Sequence, residues 1–251
     1  MRNGASISVF FPAFNDEATI AALVEEAEDQ LSLVTDDYEI IVVNDGSTDA
    51  TANVLDELSR TRPHLRVFHH ESNRGYGAAL RSGFRLSSKE LVFYTDGDGQ
   101  YDVRELATLL RLMTDETDVV NGYKINRADR AHRIILGKIY NRMVRLLFRL
   151  PIRDVDCDFR LIRRSAIQDV ELRSSSGGIC VEMVHKLYAR GCVFAEAAVH
   201  HYPRRHGSSQ FFRPYHLIRT LLELIRLRVK LWTSSHPSIE RNYRPDINIT
   251  G

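Results

Sequence analysis

Apolar runs rich in β-branched and aromatic residues alternate with amphipathic stretches through the first 124 residues, and this alternation constrains the fold more than any other feature. The apolar runs span residues 6–12, 38–44, 65–70, 90–96 and 118–124. The stretches between them repeat apolar residues with helical periodicity. Strands and helices in this strict order predict an α/β, Rossmann-like fold, in which a mostly parallel sheet carries helices on both faces.

A polar cluster follows each of the first four predicted strands. The clusters read PAFNDE, NDGSTD, NRGYG and DGDGQYD, and they begin at positions 12, 44, 73 and 96. In an open parallel sheet, ligands bind beyond the carboxyl ends of the strands, where these clusters would meet. We therefore expect all four clusters to line one cleft.

The fourth cluster crowds three carboxylates, Asp96, Asp98 and Asp102, at the end of a buried strand. One interpretation is a hard cation held by Asp96 and Asp98 with Gln100 as a further contact; the other is a loop whose carboxylates cap turns and helices. Asp102 fits the second interpretation, because a predicted helix follows it. Two or three protein ligands leave coordination positions open, which favours Mg²⁺ or Mn²⁺ bridged to a diphosphate over a structural ion.

The net charge of +1 hides two halves of opposite sign. Residues 1–121 contain 10 Lys and Arg against 22 Asp and Glu, a net charge of −12, and residues 122–251 contain 24 against 11, a net charge of +13. We expect the second half to meet an anionic partner, for which nucleic acid, phospholipid headgroups and phosphorylated substrates are the candidates.

Targeting signals and cysteine usage narrow the class of protein further. Three cysteines in no metal-ligand spacing indicate reduced thiols in a cytosolic protein. The first apolar run is soon followed by proline and asparagine, which suits a first strand and not a signal peptide. No window of about 18 residues is free of charge, so we expect no transmembrane helix.

Two predicted helices, residues 132–150 and 214–232, combine aliphatic stripes with many arginines and lysines. A nucleic-acid site would interleave aromatic residues with the cations, so we expect no nucleic-acid partner. For residues 214–232, a membrane interface, where apolar side chains enter the headgroup boundary and arginines meet anionic lipid, is favoured over packing against the sheet. Residues 132–150 fit a membrane interface and an acceptor site equally well.

The four polar clusters, in this order and spacing, resemble those of family 2 glycosyltransferases with a GT-A fold. The segments DVDCDFRLIRR, EMVHKLYARG and RRHGSSQ extend the resemblance to about residue 212. They are similar to the branch that includes dolichol-phosphate mannosyltransferase and bacterial polyprenyl-phosphate glycosyltransferases. The resemblance implies an inverting transferase that uses Mg²⁺ or Mn²⁺. It would move a sugar from a nucleoside-diphosphate donor to a polyprenyl phosphate at the cytoplasmic face of a membrane, as a peripheral protein.

This resemblance also implies a division of the chain. Residues 1–212 would form the catalytic domain, with a nucleotide-sugar-binding half in residues 1–121 and an acceptor-binding half in residues 122–212. Beyond the reach of the resemblance, the residue pattern itself predicts a membrane-interface helix in residues 213–232 and a flexible tail in residues 233–251.

Individual positions inherit expected roles from the same resemblance. Nucleotide contacts fall on Pro12, Ala13, Phe14, Glu17, Asp45, Asp96 and Asp98, and metal ligation on Asp96, Asp98 and Gln100. Catalytic roles fall on Asp98, Arg204, Arg205 and Glu182, and acceptor contacts on Asp154, Arg160 and Ser208. Two assignments come from the residues themselves. Gly75 fits a phosphate-binding loop or, equally, a tight turn before a helix, and Arg130 and Arg133 precede the first basic helix as candidates to hold an acceptor phosphate.

Two other functions compete with transfer to a lipid phosphate. A polyprenyl phosphate is already an anion, but a sugar hydroxyl acceptor would need a carboxylate base, for which Asp156, Asp158 and Glu182 are the candidates. The second rival is a nucleotide-binding regulatory module without catalysis. Metal-independent background hydrolysis of the donor would favour such a module.

Overall fold

The computed structural model describes residues 4–125, 131–204, 220 and 222–229, and seven strands in these residues pair into one sheet. The strands are β1 (Ile7–Ala13), β2 (Tyr38–Asn44), β3 (Leu65–His69), β4 (Leu91–Thr95), β5 (Val119–Ile125), β6 (Phe159–Arg163) and β7 (Phe194–His200). Their order across the sheet is β3-β2-β1-β4-β6-β5-β7. All run parallel except β6, which is antiparallel to both of its neighbours, so the predicted mostly parallel sheet is confirmed.

Helices cover both faces of this sheet, as the alternating sequence predicts. They are α1 (Ile20–Ser32), α2 (Thr51–Thr61), α3 (Tyr76–Leu86), α4 (Leu106–Leu112), α5 (Ala131–Phe148), α6 (Arg164–Ile167) and α7 (Gly178–Ala189), with a 3-10 turn (Val103–Glu105) before α4. Helices α1, α2 and α4 pack in one apolar cluster, and α3, α5 and α7 in the other. Every residue of β1 is buried, because Val9 and Phe11 enter the first cluster and Phe10 enters the second.

Strand β6 is the element that sequence reasoning missed. It inserts between β4 and β5, with Tyr94 opposite Arg160 and Asn121 also paired with Arg160. The strand is only five residues long and carries arginines at its second and last positions, Arg160 and Arg163, so its apolar pattern is broken. Of these two, Arg160 pairs with both neighbouring strands. That arginine is fully buried and hydrogen-bonded, a tertiary arrangement that local periodicity cannot predict.

The sequence offers Asn15 or Asp16 as the cap of the first helix and Ser47 or Thr48 as the cap of the second. Both helices begin later than these caps would place them, at Ile20 and at Thr51. The capping role of Asp102 is confirmed, since its side chain accepts a hydrogen bond of 2.9 Å from the Arg104 amide.

The second half follows the predicted outline where it is described. Helix α5 matches the first basic helix, and residues 222–229 are helical within the second. We call residues 222–229 the C-terminal helical segment. Most of the predicted helix 213–232 and the tail 233–251 lie outside the described residues. Across the part of the chain with described structure, no helix is long and apolar enough to cross a bilayer.

Candidate functional site

Three carboxylates meet where β4 ends beside the loop that follows β1. The Gly97 amide, between Asp96 and Asp98, donates a hydrogen bond of 3.3 Å to the Pro12 carbonyl. A Cβ atom on Gly97 would lie 3.2 Å from Asp16 Oδ2, so the Asp16 carboxylate also borders this turn. We call Asp16, Asp96 and Asp98 the acidic lip. The PAFNDE cluster, which contains Asp16, was expected in the same cleft as Asp96 and Asp98, but no individual role in that cleft was predicted for Asp16.

Burial and mutual repulsion make the acidic lip costly when it is fully ionised. The pKa of Asp96 lies well above its usual range because of burial first, and then because of the charges of Asp158 and Asp98. Burial, with a further contribution from Asp98, raises the pKa of Asp16 to about 6, although the Phe14 amide opposes this shift. Protons or a bound cation would relieve the repulsion.

The chemistry of this lip fits a hard divalent cation. Carboxylate oxygens are the ligands that Mg²⁺ and Mn²⁺ prefer. Among the residues that the structure describes, no group of three or more His, Cys, Asp or Glu side chains is arranged to hold a metal by itself. A cation on Asp96 and Asp98 would therefore take further ligands from water or from a bound substrate.

The segment after β7 lies across the lip and brings a cation to it. Arg204 forms an ion pair with Asp98, which has little exposed surface. The backbone amide of Gln100 donates to Asp98 Oδ1 at 3.0 Å, and its side-chain amide donates to the Tyr202 carbonyl at 3.0 Å. The structure thus joins Asp98, Gln100 and Arg204, as the sequence predicts. Arg205 and Ser208 lie outside the described residues.

Asp45 is hydrogen-bonded to the turn that precedes α3. Its carboxylate accepts hydrogen bonds from the amides of Arg74 (2.9 Å) and Gly75 (2.8 Å), and Oδ1 lies 2.5 Å from His70 Nδ1. The side chain is buried and holds the NRGYG turn, while its contact with a nucleotide base stays a prediction. Gly75 has a φ of 91°, which corresponds to the tight turn before a helix.

A depression of about 630 Å³ opens beside the ends of β1, β2 and β3. Phe14 and Asn44 line it, together with Gly46, Ser47, Thr48, Ala52, Asp56, His69, His70, Glu71, Ser72 and Asn73. Pro12 and Ala13 are buried in β1, and the Glu17 carboxylate accepts a hydrogen bond of 2.7 Å from the Ala50 amide, just before α2. Of the predicted nucleotide contacts Pro12, Ala13, Phe14 and Glu17, Phe14 is the one that lines this depression.

Two residues predicted to contact an acceptor lie in an internal network instead. Arg160 is fully buried and donates to Asn121 Oδ1 at 2.5 Å and to the Tyr94 hydroxyl at 2.6 Å. Asp154 is buried too and accepts from Asn141 Nδ2 at 2.9 Å. The Arg160 contacts fasten β6 to β4 and β5, and the Asp154 contact fastens the segment before β6 to α5. In this structure Arg160 presents no surface to an acceptor.

Glu182, expected to be catalytic, anchors a loop. Its carboxylate accepts from the amides of Arg173 and Ser174 and lies 2.6 Å from Lys186 Nζ. Burial alone would raise the pKa of Glu182, but the hydrogen bonds from Lys186 and these amides outweigh it and lower the pKa. A carboxylate held as a charged acceptor in this way is poorly suited to act as a base.

Tyr76 and Asp158 border the acidic lip from the far side. The Tyr76 hydroxyl donates a hydrogen bond of 2.9 Å to Asp96 Oδ1, and Cys180 Sγ lies 3.1 Å from Asp158 Oδ1. Burial raises the pKa of Asp158, although the charge of Arg160 lowers it. The role of Tyr76 was missed in the sequence, where an aromatic residue between two glycines was the available signal.

The remaining predicted positions are only partly described. Arg130 and the side chain of Arg133 lie outside the described residues, so acceptor binding by either one stays a prediction. Asp156 offers its backbone carbonyl to Lys124 Nζ at 2.5 Å.

Comparison with known sequences identifies the family. The model of "Glycosyl transferase family 2" matches residues 8–171. A relative from Pseudomonas fluorescens, undecaprenyl-phosphate 4-deoxy-4-formamido-L-arabinose transferase, is 30% identical over 223 residues, which cover 87% of this chain and 64% of the relative. The protein of that name from Yersinia enterocolitica is 27% identical over 229 residues, covering 90% of this chain and 66% of the relative. The chain thus spans about two thirds of the length of these relatives.

Solved structures support the fold. Glucosyl-3-phosphoglycerate synthase from Mycobacterium tuberculosis, in complex with Mn²⁺, UDP and glucosyl-3-phosphoglycerate, superposes with a TM-score of 0.68 at 18% identity, covering 90% of this chain and 80% of that one. Its complex with Mn²⁺, UDP-glucose and phosphoglyceric acid has the same TM-score and covers 94% and 88%. These likenesses confirm the predicted GT-A architecture. With the family match over residues 8–171, they lead to one conclusion: the chain belongs to glycosyl transferase family 2.

Proposed function

We propose that the chain transfers a sugar from a nucleoside-diphosphate donor to a polyprenyl phosphate. The observation that carries this proposal is the acidic lip, where Asp96 and Asp98 adjoin the loop after β1 and Arg204 pairs with Asp98. The names of the relatives support an undecaprenyl-phosphate acceptor. The solved neighbours that bind UDP with Mn²⁺ or Mg²⁺ support a metal-assisted nucleotide-sugar donor.

The donor diphosphate would lie against the acidic lip. Asp96 and Asp98, with Gln100 as a further contact, would hold Mg²⁺ or Mn²⁺, which offsets the charge of the diphosphate when bound. Arg204 already contacts Asp98, so its guanidinium is placed to donate charge-assisted hydrogen bonds to an anion bound there. Phe14 and Asn44 would face the nucleoside, because both line the depression beside the ends of β1 and β2.

The acceptor would be bound by residues of the basic half of the chain. A phosphate acceptor is ionised at neutral pH, so the chain needs cations to orient it and no strong base to activate it. Arg130, Arg133 and Ser208 are proposed for this role. Asp154 and Arg160 would contribute by holding β6 in place, given their buried network.

The membrane is the proposed source of the acceptor. Helix α5 exposes Ile135, Leu136, Ile139, Met143, Leu146 and Leu147, and the C-terminal helical segment exposes Leu222, Ile225 and Val229. Arginines and lysines accompany both sets, including the exposed Arg142, Arg145, Arg226 and Arg228. Apolar side chains flanked by cations match the boundary of a bilayer with anionic headgroups, so we propose peripheral binding at a cytoplasmic membrane face.

A transfer assay tests the proposed function. The chain is incubated with UDP- or GDP-sugars and undecaprenyl phosphate in detergent, with Mn²⁺, with Mg²⁺ or with a chelator. We expect metal-dependent appearance of sugar in the organic phase, in a product that mild acid cleaves. Absence of any lipid-linked sugar with every donor would overturn the proposal.

An acceptor hydroxyl is the second candidate, and the place of Asp158 is what favours it. This carboxyl lies at the far side of the acidic lip, and burial raises its pKa. A base is required for a hydroxyl acceptor, and Asp158 is better placed for that task than Glu182. A product stable to mild acid, lost in Asp158→Asn, would select this candidate over a phosphate acceptor.

A further inference from the structure

The C-terminal helical segment is bonded to the loop that leads into α7. We call residues 174–177 the serine loop. Glu223 accepts hydrogen bonds from the Ser176 hydroxyl (2.7 Å), the Ser176 amide (3.2 Å) and the Ser175 hydroxyl (3.2 Å). Thr220, also buried, donates from its hydroxyl to Ser176 Oγ at 3.2 Å. The Glu223 carboxylate thus accepts three hydrogen bonds from one short loop.

The serine loop is held from its other end by Glu182, whose carboxylate accepts from the Arg173 and Ser174 amides. Two glutamates therefore hold it, one on α7 and one on the C-terminal helical segment. Carboxylates that accept several backbone and hydroxyl hydrogen bonds make strong, charge-assisted contacts.

The carbonyls of the serine loop press on the NRGYG turn. Gly77 donates from its amide to the Ser175 carbonyl at 3.2 Å. A Cβ atom on Gly77 would lie 2.2 Å from the Ser174 carbonyl oxygen, and one on Gly75 would lie 2.5 Å from the Ser175 carbonyl oxygen. No side chain fits at either glycine, so the two backbones are in direct contact and a displacement of one must move the other.

Tyr76 stands between these two glycines and reaches the acidic lip. Its hydroxyl donates to Asp96 Oδ1 at 2.9 Å. The contacts therefore run without interruption from Glu223 through Ser175 and Ser176 to Gly77, then through Tyr76 to Asp96. Each link is a hydrogen bond, a backbone contact or a peptide bond between adjacent residues. We call this series of contacts, from Glu223 to Asp96, the relay.

We propose that Glu223 is a positioning residue, through which the C-terminal helical segment sets the place of Tyr76 and thereby of Asp96. The inference rests on the proposed function only in the statement that Asp96 serves the donor. It assigns to a helix with an exposed apolar face a second task, that of completing the donor site.

Glu223→Gln tests the relay, because glutamine keeps the shape and one acceptor but removes the charge. The matched control is Glu57→Gln, the same change at an exposed position of α2. Amide hydrogen exchange of the whole chain is the first readout. We expect exchange at Ser176 and at Gly77 to become about tenfold faster in Glu223→Gln and to stay at the wild-type rate in the control, while Glu223→Asp restores part of the protection.

Kinetics with the donor accepted in the transfer assay are the second readout. We expect the KM for the donor to rise about tenfold in Glu223→Gln, while the KM for undecaprenyl phosphate stays at the wild-type value. A double-mutant cycle with Ser176→Ala should be non-additive, because both changes remove the same contact.

Two outcomes would overturn the relay. The first is faster exchange at Ser176 with wild-type exchange at Gly77, which would confine Glu223 to the serine loop. The second is an equal rise in both KM values, which would indicate a general loss of structure. Failure of the proposed function is distinguishable, since a chain inactive with every donor would still show the exchange effect at Gly77 if the relay exists.

Discussion

The two halves of this chain place charge and apolar surface in opposite ways. In residues 4–121, polar side chains gather at the strand ends and bond neighbouring loops to one another. Asn15, for example, accepts from the Thr48 amide at 2.8 Å, and the Asn15 amide donates to Ser47 Oγ at 2.9 Å. In the second half, Arg160 and Asp154 are buried inside the fold, while helix α5 turns leucines and isoleucines outwards.

This difference teaches where function can be recognised from residue type. In the first half most apolar residues are buried, with Leu33 as an exception, and the polar clusters at the strand ends mark the candidate site. One carboxylate of these clusters, Asp45, is nevertheless buried and holds a turn. The second half uses charged residues as internal supports and apolar residues as exposed surface. Residue type alone is therefore misleading there.

Loss of Asp98 should produce the largest effect on the rate of transfer, and it tests whether residues of the first half are needed for the reaction. We expect Asp98→Asn to lower the rate of transfer about 10³-fold. Asparagine would supply neither a charged ligand to the proposed metal nor an ion-pair partner to Arg204. Asp102→Asn, in the same cluster, should remain close to wild type, since asparagine also caps a helix turn. Equal losses in both variants would contradict a special role for Asp98.

Removal of Arg160 tests whether the buried charges of the second half stabilise the fold. Arg160→Leu leaves Asn121 Oδ1 and the Tyr94 hydroxyl without their buried partner. We expect a loss of about 3 kcal/mol in the free energy of unfolding, measured with urea. Arg66→Leu removes an ion pair with Glu39 in which the Arg66 side chain is 54% exposed, and it should cost about 1 kcal/mol or less. Similar costs would mean that the buried network is dispensable.

The acidic lip should make stability depend on pH in the metal-free chain. Because the folded-state pKa of Asp16 is about 6 and its ordinary value is 3.8, the folded protein binds this proton more tightly. The contribution of Asp16 to stability is therefore present below pH 4 and is lost as pH rises through 6. Relative to Asp16→Asn, we expect the wild type to lose about 2–3 kcal/mol between pH 4 and pH 7, measured by urea unfolding with chelator present.

Asp49 provides a control of opposite sign for that experiment. Burial alone would raise its pKa, but the hydrogen bonds from Thr51 outweigh burial and lower it. Its contribution is therefore present above the ordinary pKa and is lost as pH falls through the lowered value. A wild-type chain that gains stability relative to Asp16→Asn as pH rises would contradict the crowding of the lip.

The exposed face of α5 should produce the smallest effect per residue. Leu146 is 71% exposed, and we expect Leu146→Ser with Ile139→Ser to weaken binding to vesicles of anionic lipid about tenfold in sedimentation. Leu33→Ser is the matched control, because Leu33 is 76% exposed but lies at the end of α1, away from the basic helices. Equal weakening by Leu33→Ser would indicate nonspecific adhesion rather than an interface.

Prediction succeeded where a residue acts through its immediate neighbours in sequence. The buried runs of β1, β2 and β4 and the cap at Asp102 all depend on local pattern, and the structure has them. Asp98 and Arg204 meet as expected, 106 positions apart, but the signal for that pair was a family resemblance and not periodicity.

Asp45 and Glu182 show what the sequence leaves open. The resemblance assigns Asp45 to nucleotide binding and Glu182 to catalysis. In the structure each carboxylate accepts hydrogen bonds from backbone amides of a loop. Asp45 accepts from Arg74 and Gly75, and Glu182 accepts from Arg173 and Ser174. Whether a carboxylate faces a ligand or a loop depends on which amides lie beside it, and sequence does not contain that information.

The order of strands and helices, the acidic cluster after β4 and the basic stripes of the later helices were determined by the sequence alone, because each follows from residues close together along the chain. The tertiary structure decided which of these charges remain available. It buried Arg160 between β4 and β5, turned Asp45 inwards, drew Asp16 into the acidic lip and tied Glu223 to the serine loop. The physical reason is that the cost of burying a charge depends on partners that only folding brings within hydrogen-bonding distance.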